Sequence, residues 1–257
     1  MKKQLFILFV AGLTSIVACK KDDNSGPDAP SAKKLTKITK TEDGENTVYS
    51  LTYDSNNRLT SYKDQNNTEA TTFTYDANGN IQKLENKEGD DKTVFEVTYN
   101  NNVPVSGSFK TYEGNTIKAT LSLEYTVSGG LVTKIKQKMD AVALGESTIT
   151  YQGGNVSKVE TTTTIPNVPA SKTTLTYTYG TKKSPFQNTG FKYILDPMGL
   201  SVQFFAKNDI TSEKYDFPGT ELDFQSNTQY TYDSAGYPLT ATEGTGADAV
   251  TYKFEYQ

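Results

Sequence analysis

Eight tyrosines recur in one register along the chain: Tyr53, Tyr75, Tyr99, Tyr125, Tyr151, Tyr179, Tyr232 and Tyr256. Successive gaps are 22, 24, 26, 26, 28, 53 and 24 residues. A near-constant period of this length marks a repeated supersecondary unit, and it restricts the fold more than any other feature here. The clearest copies are Leu51-Thr52-Tyr53-Asp54-Ser55-Asn56-Asn57-Arg58-Leu59, Phe73-Thr74-Tyr75-Asp76-Ala77-Asn78-Gly79-Asn80-Ile81 and Tyr230-Thr231-Tyr232-Asp233-Ser234-Ala235-Gly236-Tyr237-Pro238-Leu239. The gap of 53 is about twice a normal one, so one unit near residue 205 is expected to have lost its signature or been replaced.

Each unit reads as a β-hairpin. Before the tyrosines, apolar and polar residues alternate with period two, as in Phe95, Val97, Tyr99 and in Val250, Tyr252, Phe254, Tyr256. The residues between are mostly Thr, Ser, Glu and Lys, which suit the wet face of an antiparallel sheet. Asp-x-Asn-Gly and Gly-Gly pieces supply positive φ and side-chain-to-backbone bonds, and so reverse the chain. After each turn an apolar pair returns at spacing three: Leu35/Ile38, Leu59/Tyr62, Ile81/Leu84 and Val156/Val159. Spacing three puts the second residue on the wrong face of a regular strand, which predicts a recurrent β-bulge that curves the sheet.

Two strands per period predict an all-β fold. The expected architecture is an antiparallel up-and-down meander of about 15–16 strands over residues 33–257, curling into a barrel or a strongly curved sheet. A thin apolar layer on one face fits an apolar content of only 35%. The break from Lys183 to Asn208 is the most apolar and aromatic part of the chain after the leader. A short plug or helical-turn segment is expected near 184–200, with a helical turn over Phe191–Leu195 stopped at Asp196 by Pro197.

Residues 1–18 read as a secretory signal: Lys2 and Lys3 form the positive start, Leu5 to Val17 the apolar stretch, and Ala18 the small residue before the cut. Ile16-Val17-Ala18-Cys19 resembles the bacterial lipobox, in which Cys19 is acylated and becomes the membrane anchor. Each buried CH₂ of an acyl chain adds about 0.8 kcal/mol. Residues 19–32 are polar and bear Pro and Gly, so they read as a solvated tether. Lys21-Asp22-Asp23 looks like the surface-export signal of Bacteroidota lipoproteins. The expected location is the outer membrane, exposed on the cell surface, with the periplasmic face as the alternative.

Composition removes several chemistries. The chain has no His, no Trp and one Cys. A His-dependent triad, a His- or Cys-ligated zinc site and an internal disulfide are therefore excluded. No cofactor and no metal are expected, and no catalytic residue can be singled out, so the chain reads as a non-enzyme. Asp76-Ala77-Asn78-Gly79-Asn80 spaces oxygens like a calcium loop. However, its Gly is misplaced and no Glu sits at the twelfth position, so a plain Asx turn is expected. Two of the 26 basic side chains lie in the leader, leaving 24 against 30 acids, a net of −6 with lysines interspersed rather than clustered. Nucleic acid is not an expected partner.

The remaining readings are two. One is a non-catalytic binding module for a glycan or small apolar ligand, with Phe191, Tyr193, Phe204 and Phe205 as candidate contacts, although the same four residues would serve equally as packing under a plug. The other is a structural component of an envelope complex that meets a protein partner through a sheet edge or the wet face.

The Tyr-Asp turns with Gly and Leu following resemble the YD repeat of Rhs-type shells. Over nearly the whole chain beyond the leader, the lipobox with Lys-Asp-Asp, the Tyr-Asp turns at 53, 75 and 232, and the Ser184-Pro185-Phe186 segment ending in Lys207-Asn208 resemble a Bacteroidota lipoprotein family described as porin-like in fold. The resemblance implies an up-and-down barrel or curved sheet, and no activity. A literal membrane barrel would need an apolar outer band, whereas the face opposite the tyrosines carries Glu96, Glu124, Lys253 and Glu255. A peripheral barrel standing in water is the expected form.

Overall fold

The computed structural model describes residues 33–257 apart from 141, 188, 198 and 200. The leader, Cys19 and the tether lie outside the described residues. The strands, in chain order, are β1 (Leu35–Glu42), β2 (Glu45–Tyr53), β3 (Leu59–Asp64), β4 (Glu69–Tyr75), β5 (Ile81–Glu88), β6 (Asp91–Asn100), β7 (Val103–Glu113) and β8 (Thr116–Ser128). They continue as β9 (Leu131–Met139), β10 (Val142–Gln152), β11 (Asn155–Thr163), β12 (Ser171–Lys183), β13 (Asn208–Asp216), β14 (Phe224–Tyr232), β15 (Pro238–Glu243) and β16 (Val250–Tyr256). Every strand pairs antiparallel with its chain neighbours, and β1 pairs with β16, so the sixteen strands form one closed barrel. The expected all-β meander is borne out, and closure settles the choice between barrel and open sheet. A closed barrel has no free edge, so the expected route to a partner through a sheet edge is overturned.

Turns from even to odd strands gather at one end, the tyrosine end; those from odd to even strands gather at the other, the distal end. The expected bulge is present in every unit. Thr52 pairs with Ser61 but Tyr53 with Leu59, leaving Thr60 extra. Likewise Gln82, Val105, Thr133, Ser157, Thr211, Leu239 and Thr36 are extra residues in their strands. The extra residue is what places both members of each spacing-three apolar pair in the interior: Leu59 and Tyr62, Ile81 and Leu84, Val156 and Val159 are all buried. Five of the bulge residues carry a hydroxyl that donates across the hairpin to the carbonyl just before the register position. Thr60 reaches Thr52 O at 3.1 Å, Ser157 reaches Thr150 O at 3.2 Å, and Thr36 reaches Glu255 O at 3.1 Å. Thr133 and Thr211 do the same at 3.3 Å.

The register tyrosines face inward at the tyrosine end, but their rings do not stack on one another as a cross-strand ladder would require. Successive units lie two strands apart, roughly 9–10 Å, beyond ring contact. Instead five of the eight phenols each close a gap in the backbone ladder, while Tyr232 donates to the Asp209 carboxylate and the Tyr256 hydroxyl has no partner. Between β3 and β4 pairing begins only at Ser61, so the carbonyl of Leu59 has no ladder partner, and Tyr75 Oη donates to it at 2.7 Å. Tyr53 does this for Leu35 O at 2.8 Å, Tyr99 for Ile81 O at 2.8 Å, Tyr151 for Val132 O at 2.7 Å and Tyr179 for Val156 O at 2.6 Å. Burial pushes the phenols of Tyr53, Tyr75, Tyr99 and Tyr151 above their ordinary range, so they stay protonated donors.

Tyr125 breaks the pattern. The bulge on β9 faces Val127, not Tyr125, so Val127 is the true counterpart of Tyr151 and the sequence register was two residues early at this unit. A slip of two preserves the inward face, which frees Tyr125 to donate to Leu195 O of the plug at 2.7 Å. No unit was lost near residue 205: β13 and β14 form a hairpin like the others, and the gap of 53 is one period plus an inserted segment.

The outer wall is polar. Outward positions on adjacent strands pair as Lys110–Glu96 at 2.5 Å, Lys138–Glu124 at 2.5 Å, Lys172–Glu160 at 2.6 Å and Lys37–Glu255 at 3.0 Å. A bilayer core would strip these charges of water, so this wall suits solvent and not hydrocarbon. The apolar side chains line the interior instead, the reverse of a membrane-spanning barrel.

Candidate functional site

The segment between β12 and β13 folds into the tyrosine end and plugs it. Its helical turn, α1 (Val202–Phe205), is not at the expected Phe191–Leu195, which is irregular. Gly190 and Gly199, at φ 86° and 80°, bend the chain on either side of that stretch, and pairing it with the wall replaces local helix. The plug also runs past 200, to the start of β13 at Asn208.

All four aromatic residues singled out in the sequence lie on this plug. Phe204 is buried with its ring 5.2 Å from Phe73, 4.9 Å from Phe186 and 5.1 Å from Phe191. Phe191 meets Phe73 edge-on at 5.1 Å. Phe205 packs on Tyr151 at 5.9 Å; Tyr193 lies 6.4 Å from Tyr99 and donates its hydroxyl to Asn102 O at 3.0 Å. Phe191 and Phe204 are thus brought together, while Tyr193 and Phe205 reach different parts of the wall.

Polar bonds hold the plug in place: Ser147 donates to Pro197 O at 3.0 Å, and Asn155 Nδ2 to Asn208 Oδ1 at 2.7 Å. Buried Asp196 accepts from the Ser201 backbone N–H at 2.7 Å and from the Ser201 hydroxyl. The cavity beside Tyr99, Tyr193 and Leu195 is about 10 Å³, room for one water and no more. The three Tyr-Asp turns around the plug are built alike. Asp76 Oδ1 accepts the N–H of Asn78 and of Asn80 at 2.9 and 2.8 Å, and Asp54 and Asp233 repeat the arrangement. Partial burial alone would raise these carboxyls; the hydrogen bonds outweigh it and hold all three below the ordinary carboxylate range. The Asp76 loop is the expected Asx turn.

The distal end differs in every respect, and the sequence reading passed over it. Its eight connections, from 42–45 round to 243–250, hold fifteen Asp and Glu residues and no Lys or Arg. Those carboxylates are scattered along the sequence and converge only because every second turn of a meander returns to the same end; sorting turns by parity would have found them. Among the described residues, seven of the nine exposed large apolar side chains also lie here: Ile117, Met139, Val142, Ile165, Val168, Leu222 and Phe224. They occupy the successive hairpin tips from β7–β8 to β13–β14 and form an apolar arc beside an acidic one.

The inner wall of β5, β6 and β7 steps in chemistry toward this mouth. Leu84, Phe95 and Phe109 form one apolar row across the three strands. The next row outward is Asn86, Thr93 and Thr111, and the lip row is Glu88, Asp91 and Glu113. The two outer rows line a cavity of about 450 Å³, within the size range of small-ligand sites. Thr93 Oγ1 is buried there without a hydrogen-bond partner.

A second polar cluster lies deeper, on β13–β16. Glu213 is buried, and its carboxyl takes only a long contact of 3.5 Å from Tyr215 Oη. Loss of water raises its pKa well above the ordinary value, and the Glu243 carboxylate nearby adds to the rise. Glu243 is better served, accepting from Ser226 Oγ at 2.7 Å and Tyr252 Oη at 3.1 Å. Among the described residues, no group of three or more His, Cys, Asp or Glu side chains is placed to hold a metal ion.

Against known proteins, a porin-like protein from Bacteroides vulgatus superposes with a TM-score of 0.57 at 13% identity, over 88% of this chain and 99% of that one. The barrel is porin-like in fold. A second porin-like protein, from Bacteroides uniformis, superposes with a TM-score of 0.51 at 15% identity, over 87% of this chain and 96% of its own. The RHS Repeat family matches residues 53–90, the stretch with the turns at Asp54 and Asp76. A search of curated proteins finds no match. The expected likenesses, to porin-like proteins of this bacterial group and locally to the Tyr-Asp repeat, are both borne out, and at these identities they speak for the fold alone.

Proposed function

We propose that this chain is a non-catalytic outer-membrane lipoprotein, acylated at Cys19 and carried on the cell surface, whose barrel binds a ligand at its distal end. The observation that carries the reading is the contrast between the two ends. The tether would enter at the tyrosine end, where Lys34 and Gln257 pair and the plug fills the lumen. The distal end points away from it and bears the mouth cavity, the acidic turns and the exposed apolar tips. A polar outer wall supports a barrel standing in water on a lipid anchor rather than spanning the bilayer. The role first considered for Phe191, Tyr193, Phe204 and Phe205 moves with the site, because those rings hold the plug to the wall.

Anchoring is tested by Cys19→Ser, which should abolish acylation and release the protein from membranes. A serine variant that still sediments with carbonate-washed membranes would refute the anchor. The apolar arc favours a second reading, a protein partner docked on the hairpin tips, since exposed apolar patches of this kind mark interaction surfaces. Replacing Leu222 and Phe224 by Ser should abolish such docking and leave the cavity of β5–β7 untouched.

A further inference from the structure

We propose that the cavity at the mouth of β5, β6 and β7 is a saccharide site selective for neutral or amino-bearing sugars over acidic ones. The inference rests on the reading of the distal end as the binding end and names the ligand class of that end. Its chemistry comes from the two rows of side chains. Thr93 and Thr111 carry hydroxyls that both donate and accept, as adjacent sugar hydroxyls do, and Asn86, whose Oδ1 accepts from Thr71 Oγ1 at 2.9 Å, adds its amide N–H donors. The Tyr112 ring and the lysine stems give the lining an apolar part on which a sugar ring can rest, and a wholly apolar ligand would have to bury the polar groups unpaired, at roughly 1–3 kcal/mol each. Thr93 Oγ1 has no protein partner and lies covered at the cavity wall, so a ligand hydroxyl reaches it once the side chain turns toward the cavity and then satisfies a group the protein leaves unpaired.

The lip then selects on charge. Lys118 and Lys92 also line the cavity; Lys118 is paired with Glu113, whereas Lys92, over the Tyr112 ring at 4.5 Å, keeps its charge. Glu88, Asp91 and Glu113 against Lys92 and Lys118 leave the entrance one charge negative, and the remaining distal turns add carboxylates of the same sign. Focused negative potential raises the local concentration of cations and repels anions. Uronic acids and sugar phosphates are disfavoured on approach and again at the lip, whereas a protonated amino group is attracted.

The test is an array of oligosaccharides in matched neutral, amino and uronate forms, probed with the full-length protein in detergent. Hits are measured by calorimetry for wild type, Thr93→Val and a Glu88→Gln/Asp91→Gln variant. Binding should fall among neutral or amino forms, weaken at least tenfold in Thr93→Val, and gain uronate forms in the double variant. Circular dichroism and melting check that both variants fold. The proposal is overturned if neutral and amino forms fail to bind, if uronates bind equally to wild type, or if Thr93→Val binds like wild type. Saccharide binding that survives Thr93→Val but is lost on Leu222→Ser/Phe224→Ser would keep the distal end as the binding end and reject this cavity. Failure of Cys19→Ser to release the protein would reject the anchor and leave the array result standing.

Discussion

Tyr99→Phe removes one oxygen and no packing, so it isolates the phenol-to-carbonyl closure at the tyrosine end. The lost bond is Tyr99 Oη to Ile81 O at 2.8 Å, and the carbonyl left behind has no ladder partner on β6, where pairing starts at Lys83. A net hydrogen bond contributes about 0.5–1.5 kcal/mol, and an orphaned buried acceptor adds to the loss, so the expected cost is about 1.5–2 kcal/mol. At roughly 2–4 °C per kcal/mol for a domain of this size, the melting temperature should fall about 3–8 °C. Tyr256 is the internal control. It occupies the same register on β16, yet its buried hydroxyl finds no partner, so Tyr256→Phe should be neutral or slightly stabilising. Thr98→Ala, exposed on the outer wall beside Tyr99, should cost under ~0.5 kcal/mol. Tyr53→Phe and Tyr75→Phe should match Tyr99→Phe, and the three should add within ~0.5 kcal/mol because their units are separate. Urea titrations with unchanged m-values measure all of this. If Tyr256→Phe lost as much as Tyr99→Phe, the hydrogen bond would not be the cause and the argument would fail.

Glu213 binds its proton more tightly in the folded chain than in the unfolded one, so its contribution is fully present at pH 4 and is lost as pH rises above about 4.5. Glu213→Gln should therefore raise the melting temperature at pH 7 and change little at pH 4; a lower melting temperature at pH 7 would reject the buried neutral acid. The buried phenols act in the same direction at higher pH. Unfolded tyrosines ionise near 10 while those of Tyr53, Tyr75, Tyr99 and Tyr151 resist, so stability should fall as pH rises past about 10, and less steeply in a variant with these four changed to Phe. Phe204→Ala should cost about 3–5 kcal/mol, because its ring is buried among three others. Its unfolding curve should keep a single transition, and a separate early transition would mean that the plug is not part of the barrel's cooperative unit.

Period-two alternation and spacing-three pairs were enough to read the meander and its bulges, since both follow from which face of a strand must be dry. The same period hid the error at Tyr125: sliding a strand by two residues keeps every side chain on its face, and only the bulge opposite Val127 marks the true register. The phenol bonds were not legible because they depend on how far neighbouring hairpins splay, a property of the closed barrel. The helical turn was misplaced because Phe191–Leu195 is apolar enough for either a turn or wall contact, and Phe73 and Tyr99 decide for the wall. The mouth was missed for another reason. Glu88, Asp91 and Glu113 read singly as ordinary polar turn residues, and their meaning arises only when three hairpins stand side by side.

The barrel has no seam. Lys34 N donates to Gln257 O and Gln257 N to Lys34 O, both at 2.9 Å, so the two ends of the described chain are themselves a rung of the sheet. A short linker joining them and a new opening in the exposed loop between β11 and β12 would give a circular permutant with every strand neighbour retained. That permutant would also carry its first residue at the opposite mouth, so a lipid attached there would turn the barrel over, plug outward and acidic turns against the membrane.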